Sequence, residues 1–431
     1  MRSIRPLLTA VGVVSALTLT AACGGGSEDR ASDGPTASGP AAGSSSPVPT
    51  QDRPVDAAPQ ESTRPSKEPS DGSGSSGVDE KEWREGGWRN WDRSTWRRDA
   101  GDFVNPVIDD HWKPERMSTA KPPKPVIKPT PDGKPTPDDK PPAEKPKDPK
   151  PPKGEDPKGE DPNGQGPDEP EVVEAQAEKV PYRQYAPTSG KVFFDAPEGA
   201  MVCSATVVQD PKNPGRSNLV WTAGHCVHAG KKGGWYRNVA FVPAYNDKGL
   251  PKRALADATA QEIAPFGTYW ADWVATSNQW IKGGDPDDGS GAPFDFAVLH
   301  VRPEAGGKSL EETVGSAVAV DFDAPRPQDA SSVTLWGYPA GWPYNGATMY
   351  KCTDRPGPFD FTPGAPVMWR AGCSMTGGSS GGGWIVQGAD GAPALVSNTS
   401  IGPLDPIWLA GPSLGADAEK VFTGVSAKYA P

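Results

Sequence analysis

From Lys191 onward the chain is written in short runs of Val, Phe, Trp and Thr, cut every few residues by Gly, Pro, Asn or Asp. That punctuation limits the possible folds more than any other feature. Runs so short cannot make the turns of a packed helix, whereas β-branched and aromatic residues set between turn formers make strands. The predicted strands are 191–195, 201–208, 218–222, 238–244, 294–301, 316–321, 332–337, 366–370, 383–387 and 394–400. Many short strands predict an all-β barrel or sandwich rather than βαβ units. Only the tail departs, because Val421, Val425 and Tyr429 recur every four residues between 418 and 429, as in a terminal amphipathic helix.

The preceding region has the opposite character. Of 431 residues, 51 are Gly and 52 are Pro, and residues 24 to about 180 hold most of the Pro, Gly, Ser and charge runs. Such a sequence buries too little apolar surface to offset the entropy of ordering it. Residues 27–180 are therefore assigned no fold, and one folded domain is expected over 181–431. Residues 23–79 read as a Gly/Ser/Pro linker and 118–180 as a Pro/Lys/Asp spacer, with Pro-Lys-Gly-Glu-Asp at 152–156 and again at 157–161. At about 3.1 Å per residue, an extended spacer of this kind could reach on the order of 100 Å. The segment 80–117 interleaves Trp83, Trp88, Trp91, Trp96 and Trp112 with Arg84, Arg89, Arg93, Arg97 and Arg98. Gly86 and Gly87 break a helix there, so the segment is expected to be unfolded. The other reading is a binding role toward wall polymers or a protein, for which exposed Trp and Arg are suited.

Residues 1–22 have the layout of an export signal: Arg2 and Arg5, an apolar run from Leu7 to Leu19, then Thr20, Ala21 and Ala22. The run is too short for an ordinary transmembrane helix. Cys23, which follows the small residues, stands apart from the even set Cys203, Cys226, Cys352 and Cys373. That set suits two disulfides in an oxidising compartment, and four cysteines allow three pairings. The formal net charge is −11 with no sustained basic block, which argues against nucleic acid as a partner. No metal-ligand spacing is visible, so no metal or cofactor is expected, and the chain is expected to be a monomer.

The chemistry lies in three short strings. A hydroxyl becomes a useful nucleophile when an imidazole takes its proton, a carboxylate fixes the imidazole tautomer, and backbone N–H groups await the oxyanion. His225 ends the apolar string Leu-Val-Trp-Thr-Ala-Gly-His-Cys, 219–226, in a tight turn of small residues. Asp295 opens Phe-Asp-Phe-Ala-Val-Leu-His-Val, 294–301, where a buried carboxylate is costly unless an imidazole N–H pairs with it. Ser380 lies in Thr-Gly-Gly-Ser-Ser-Gly-Gly-Gly-Trp, 376–384, whose glycines let a loop aim the N–H groups of Gly378 and Ser380 at one point. His228 and His300 read as ordinary structural histidines, and Asp285, Asp287 and Asp288 as solvated acids of a loop.

These strings, in the order His, Asp, Ser, are very similar to the motifs of the chymotrypsin-like serine peptidases, closest to the bacterial trypsin-like and glutamyl-endopeptidase-like branches. Met-Val-Cys-Ser-Ala-Thr-Val-Val, 201–208, resembles the strand whose cysteine bonds to the one after the histidine, which implies Cys203–Cys226 and leaves Cys352–Cys373. Over roughly 185–431 the resemblance implies two six-stranded antiparallel β-barrels with the site between them, a C-terminal helix, and hydrolysis of polypeptides by His225, Asp295 and Ser380. Ser379 stands where zymogen-activated members have an aspartate, and Gly383 replaces the usual proline. The specificity pocket is expected from Ser374, Met375, Ser397, Asn398 and Thr399, without the acid that selects Arg or Lys. Cys23, followed by Gly24, Gly25, Gly26 and Ser27, resembles the lipobox of bacterial lipoproteins, with Thr20 where Leu is usual. That implies a lipid anchor on the outer face of the membrane; cleavage near Ala22 with free secretion is the other reading. The competing view of the whole chain is an inert barrel of the same fold that binds wall material or a partner.

Overall fold

The computed structural model describes residues 79–92, 96, 103–123, 169–388 and 391–431. The expected leader, Cys23, the linker 23–78 and most of the Pro/Lys/Asp spacer lie outside the described residues.

In chain order the strands are β1 (Gln176–Ala177), β2 (Ser189–Ala196), β3 (Gly199–Val208), β4 (Leu219–Thr222), β5 (Arg237–Pro243), β6 (Tyr269–Thr276) and β7 (Ala297–Pro303). They continue with β8 (Ala319–Val320), β9 (Val333–Gly337), β10 (Tyr350–Asp354), β11 (Gly357–Phe359), β12 (Met368–Gly372), β13 (Gly383–Gln387), β14 (Pro393–Asn398) and β15 (Trp408–Gly411). Six of them close a barrel in the order β2-β3-β4-β7-β6-β5. Closure leaves no exposed ladder except where a neighbour is short, as on β3, which β4 covers only at Thr206–Val208. Val192, Phe194, Val220, Phe241 and Leu299 fill the interior.

The second half is built differently from the expected second barrel. One sheet has the order β1-β10-β9-β13-β14-β8, and a separate three-stranded sheet has the order β11-β12-β15. No ladder joins β10 to β12 among the described residues. The Cys352–Cys373 disulfide instead fastens β10 to the end of β12, and Trp369 and Trp384 fill the space between the sheets. A helix over Ala416–Lys428 packs Phe422 and Val425 on the outside of the first barrel, against Trp221 and Val298.

Two boundaries move. Residues 169–180 belong to the folded body, since Gln176 and Ala177 add an edge strand to β10. The Trp/Arg segment is also folded where it is described, through helices α1 (Glu80–Arg84) and α2 (Pro114–Thr119). Asp79 caps α1 by accepting from the N–H groups of Lys81 and Glu82. Trp83, Trp88 and Trp112 are buried against the first barrel. Composition misjudges this segment because it cannot form a core alone, yet each indole can bury on the order of 150–250 Å² on a surface supplied by another part of the chain.

Candidate active site

His225 is held by a single 3-10 turn, Gly224–Cys226, immediately after β4. Gly224 is needed for close approach: a Cβ there would lie 2.8 Å from Thr276 Oγ1 and 3.0 Å from Asp295 Oδ1. The disulfide between Cys203 and Cys226 ties the turn to β3, as the resemblance implies.

Asp295 does not open a strand at 294. Pro293 starts a 3-10 turn over Ala292–Phe294, Asp295 ends it, and the ladder of β7 begins at Ala297. The turn aims the carboxylate at the histidine. His225 Nδ1 lies 2.7 Å from Asp295 Oδ2, and the His225 backbone N–H donates to Oδ1 at 2.7 Å. Ser400 adds a third donor, its hydroxyl giving a 2.6 Å hydrogen bond to Oδ2. Asn398 Nδ2 donates to the Asp295 carbonyl at 3.0 Å. A fully buried carboxylate is thus surrounded by donors that fix it in one orientation.

Ser380 sits in the turn before β13. Its carbonyl accepts from the Ser204 N–H of β3 at 2.7 Å, and the next N–H, of Gly381, donates to Thr399 O at 2.7 Å. Gly381 has φ +78°, and a Cβ there would fall 2.1 Å from Thr222 Oγ1 and 2.9 Å from Ala223 N, so only glycine fits. The serine turn is therefore wedged against the end of β4, two residues ahead of His225. The imidazole Nε2 is buried with no hydrogen-bond partner among the described residues. Ser380 Oγ makes no hydrogen bond to it: histidine and aspartate are joined, and the serine lies in the adjoining turn. The N–H groups of Gly378 and Ser380 are likewise taken by no other group among the described residues, while Ser204 Oγ grips the Gly378 carbonyl at 2.8 Å.

Beside Ser380 is a cleft of about 300 Å³ whose walls include Met375, Thr399, Ile401, Leu404 and Leu409, with no charged side chain. Of the five residues expected in a specificity pocket, only Met375 and Thr399 line it. Ser374 turns away, donating to Glu174 at 3.1 Å and accepting from the Ala175 N–H. Ser397 donates to Pro412 O, and Asn398 accepts from Trp221 Nε1 while its amide supports Asp295 from behind. Sequence reasoning stopped one residue short of Ser400. Its only signal was adjacency to a polar string at the end of a strand.

The remaining candidates are structural. His228 packs edge-on to Trp235, accepts from the Gly230 N–H, and burial lowers its pKa to about 4. His300 Nδ1 meets Asp272 at 2.6 Å, with its ring stacked on Tyr429. Asp287 and Asp288 are exposed or nearly so, but Asp285 is buried, and its carboxylate faces Lys231 and Lys232 at 3.3 and 2.8 Å. The one cluster of metal-type donors among the described residues is Cys203, His225 and Cys226, and its two sulfurs are bonded to each other.

Among solved structures, the chain is similar to a thermostable serine protease, AL20, from an extremophilic microorganism: 30% identity over 56% of this chain and 98% of that one, TM-score 0.45. It is similar to the protease Anisep from Arthrobacter nicotinovorans, at 26% identity over 58% of this chain and 99% of that one, TM-score 0.46. A Glu endopeptidase shares 16% identity over 59% of this chain and 97% of that one, TM-score 0.42. No family model matches the chain. No curated protein matches it either.

Proposed function

We propose that the protein is a chymotrypsin-like serine endopeptidase that works outside the cytoplasm. The observation that carries this reading is the buried Asp295–His225 pair at 2.7 Å, with the far imidazole nitrogen unpartnered and the Ser380 turn wedged beside it. A nitrogen in that state is available to accept a proton from a hydroxyl brought to it. Catalytic hydrogen bonds of this kind often tighten when substrate binds.

In the reaction, Ser380 Oγ attacks the scissile carbonyl as its proton passes to His225 Nε2. Asp295, held by Ser400, keeps the opposite N–H directed and stabilises the imidazolium. The N–H groups of Gly378 and Ser380 receive the developing oxyanion, and His225 returns the proton to the leaving amine. Water repeats the sequence on the acyl-enzyme. The uncharged cleft wall favours an uncharged substrate side chain over Arg, Lys or Glu. The two disulfides suit an oxidising compartment, and no helix among the described residues is long and apolar enough to cross a membrane. Cys23 is the proposed acylation site.

The test is labelling of the folded protein with a fluorophosphonate. Labelling at Ser380, abolished in Ser380→Ala together with hydrolysis of an unfolded protein substrate, is expected. The rival, an inert barrel of the same fold, predicts an intact protein that stays unlabelled.

A further inference from the structure

The Trp/Arg segment ends somewhere specific. Beyond α2, Lys121 adds to the edge of β3 that β4 leaves uncovered: its N–H donates to Ala200 O at 3.0 Å, and its carbonyl accepts from the Val202 N–H at 2.9 Å. The bridge to Met201 is parallel. Pro122 and Pro123 then continue along the wall of the cleft that holds Ser380, and both lie against Gly377. An extended polypeptide binds most readily by adding a strand to a free edge beside pockets for its side chains. Here the chain's own residues already occupy such an edge and such a wall.

The upstream part of the segment is held too firmly to be a passing contact. Arg116 and His111 both bond to Asp195, a fully buried carboxylate of β2, and Asn238 Nδ2 joins them at 2.8 Å. Trp83 and Trp112 donate their indole N–H groups to the side chain and carbonyl of Asn238. Asn105 bridges β5 and β6, with its amide on Val239 O and Ala271 O and its oxygen on the Val239 N–H. In contrast, the last three residues are attached mainly through two backbone hydrogen bonds and proline contacts. One anchored body thus carries a lightly held tip.

Resting on the peptidase reading above, we propose that the described residues between 79 and 123 act as a built-in inhibitory strap. The described residues of 79–117 anchor it on the barrel, and the tip Lys121–Pro123 competes with extended polypeptides for the β3 edge and the cleft wall. Pro122 and Pro123 offer no N–H to continue the strand register, so they cover the cleft wall without pairing as a substrate strand would. Substrate binding requires the tip to lift, so apparent affinity is the intrinsic affinity multiplied by the fraction of time the tip is lifted.

The experiment compares the full chain with Pro122→Gly/Pro123→Gly and with Lys121→Pro, which removes the N–H given to Ala200. Each is assayed with β-casein and labelled with a small fluorophosphonate. A rise of about tenfold in kcat/KM on casein in either variant, with labelling present throughout, is expected if the tip is closed about nine-tenths of the time. A synthetic peptide of residues 114–123 should then inhibit the variants competitively. Casein hydrolysis equal to wild type in both folded variants, with Ser380 labelled in all, overturns the strap. Failure of the fluorophosphonate to label any of the three overturns the peptidase reading itself, and the strap with it.

Discussion

Lys191 is a charged residue placed where charge is least welcome. It lies in β2, nearly inaccessible, with its ammonium 2.8 Å from the Gly346 carbonyl and over the rings of Tyr245 and Tyr338 at 4.5 and 5.4 Å. Burial, helped by the positive Lys252, pulls its pKa from 10.5 down to about 7. Between about pH 7 and 10.5 the unfolded chain therefore holds a proton that the folded chain has released. Stability then rises with pH across that window, by at most about 1.4 kcal/mol per unit, and is flat in this term below it. Urea melts of wild type and Lys191→Met between pH 7 and 9.5 should show a rise in the first and a smaller one in the second; parallel curves would reject the idea. The sequence could not reveal this lysine, because alternation in a strand says nothing about which positions a second element covers. His225 and Ser380 were legible for the opposite reason. Their small-residue turns are dictated locally by close approach, so the strings that carry them keep a recognisable composition.

Strands were readable from the residues alone where a compact apolar and β-branched run marks them, as in Met201–Val208, buried almost throughout, and Val333–Gly337, whose burial alternates. β6 was not, because its pairing with β7 slips between Ala271 and Trp273, and that bulge destroys the two-residue period across Tyr269–Thr276. β1, β11 and β15 are too short to leave a pattern and exist because neighbouring edges accept them. The strap is the largest element that composition misassigned. Its order comes from indoles buried on the barrel, which gives a direct check. Trp112→Ala should lower unfolding free energy by about 3–5 kcal/mol, whereas Trp342→Ala, at 90% exposure beside the cleft, should change it by less than about 0.5 kcal/mol. Equal, small effects in guanidinium denaturation would mean that the segment does not contribute to the core.

At the scale of the molecule, the folded unit is larger than its strand pattern. A boundary drawn near 181 from composition cuts β1 from β10 and takes away Arg116 and His111, the partners of Asp195. A buried carboxylate left without its guanidinium partner costs about 3–5 kcal/mol, and the bare surfaces under Trp83, Trp88 and Trp112 add to that. With about 2–4 °C lost per kcal/mol in a domain of this size, a chain starting at Tyr185 should melt at least about 10 °C below one starting at Asp79. The shorter chain should also bind a hydrophobic dye, because the docking face of the strap is then exposed. Calorimetry of the two proteins decides the matter. Equal melting temperatures would mean that the barrel is complete without its strap, and that the buried network at Asp195 rearranges at little cost.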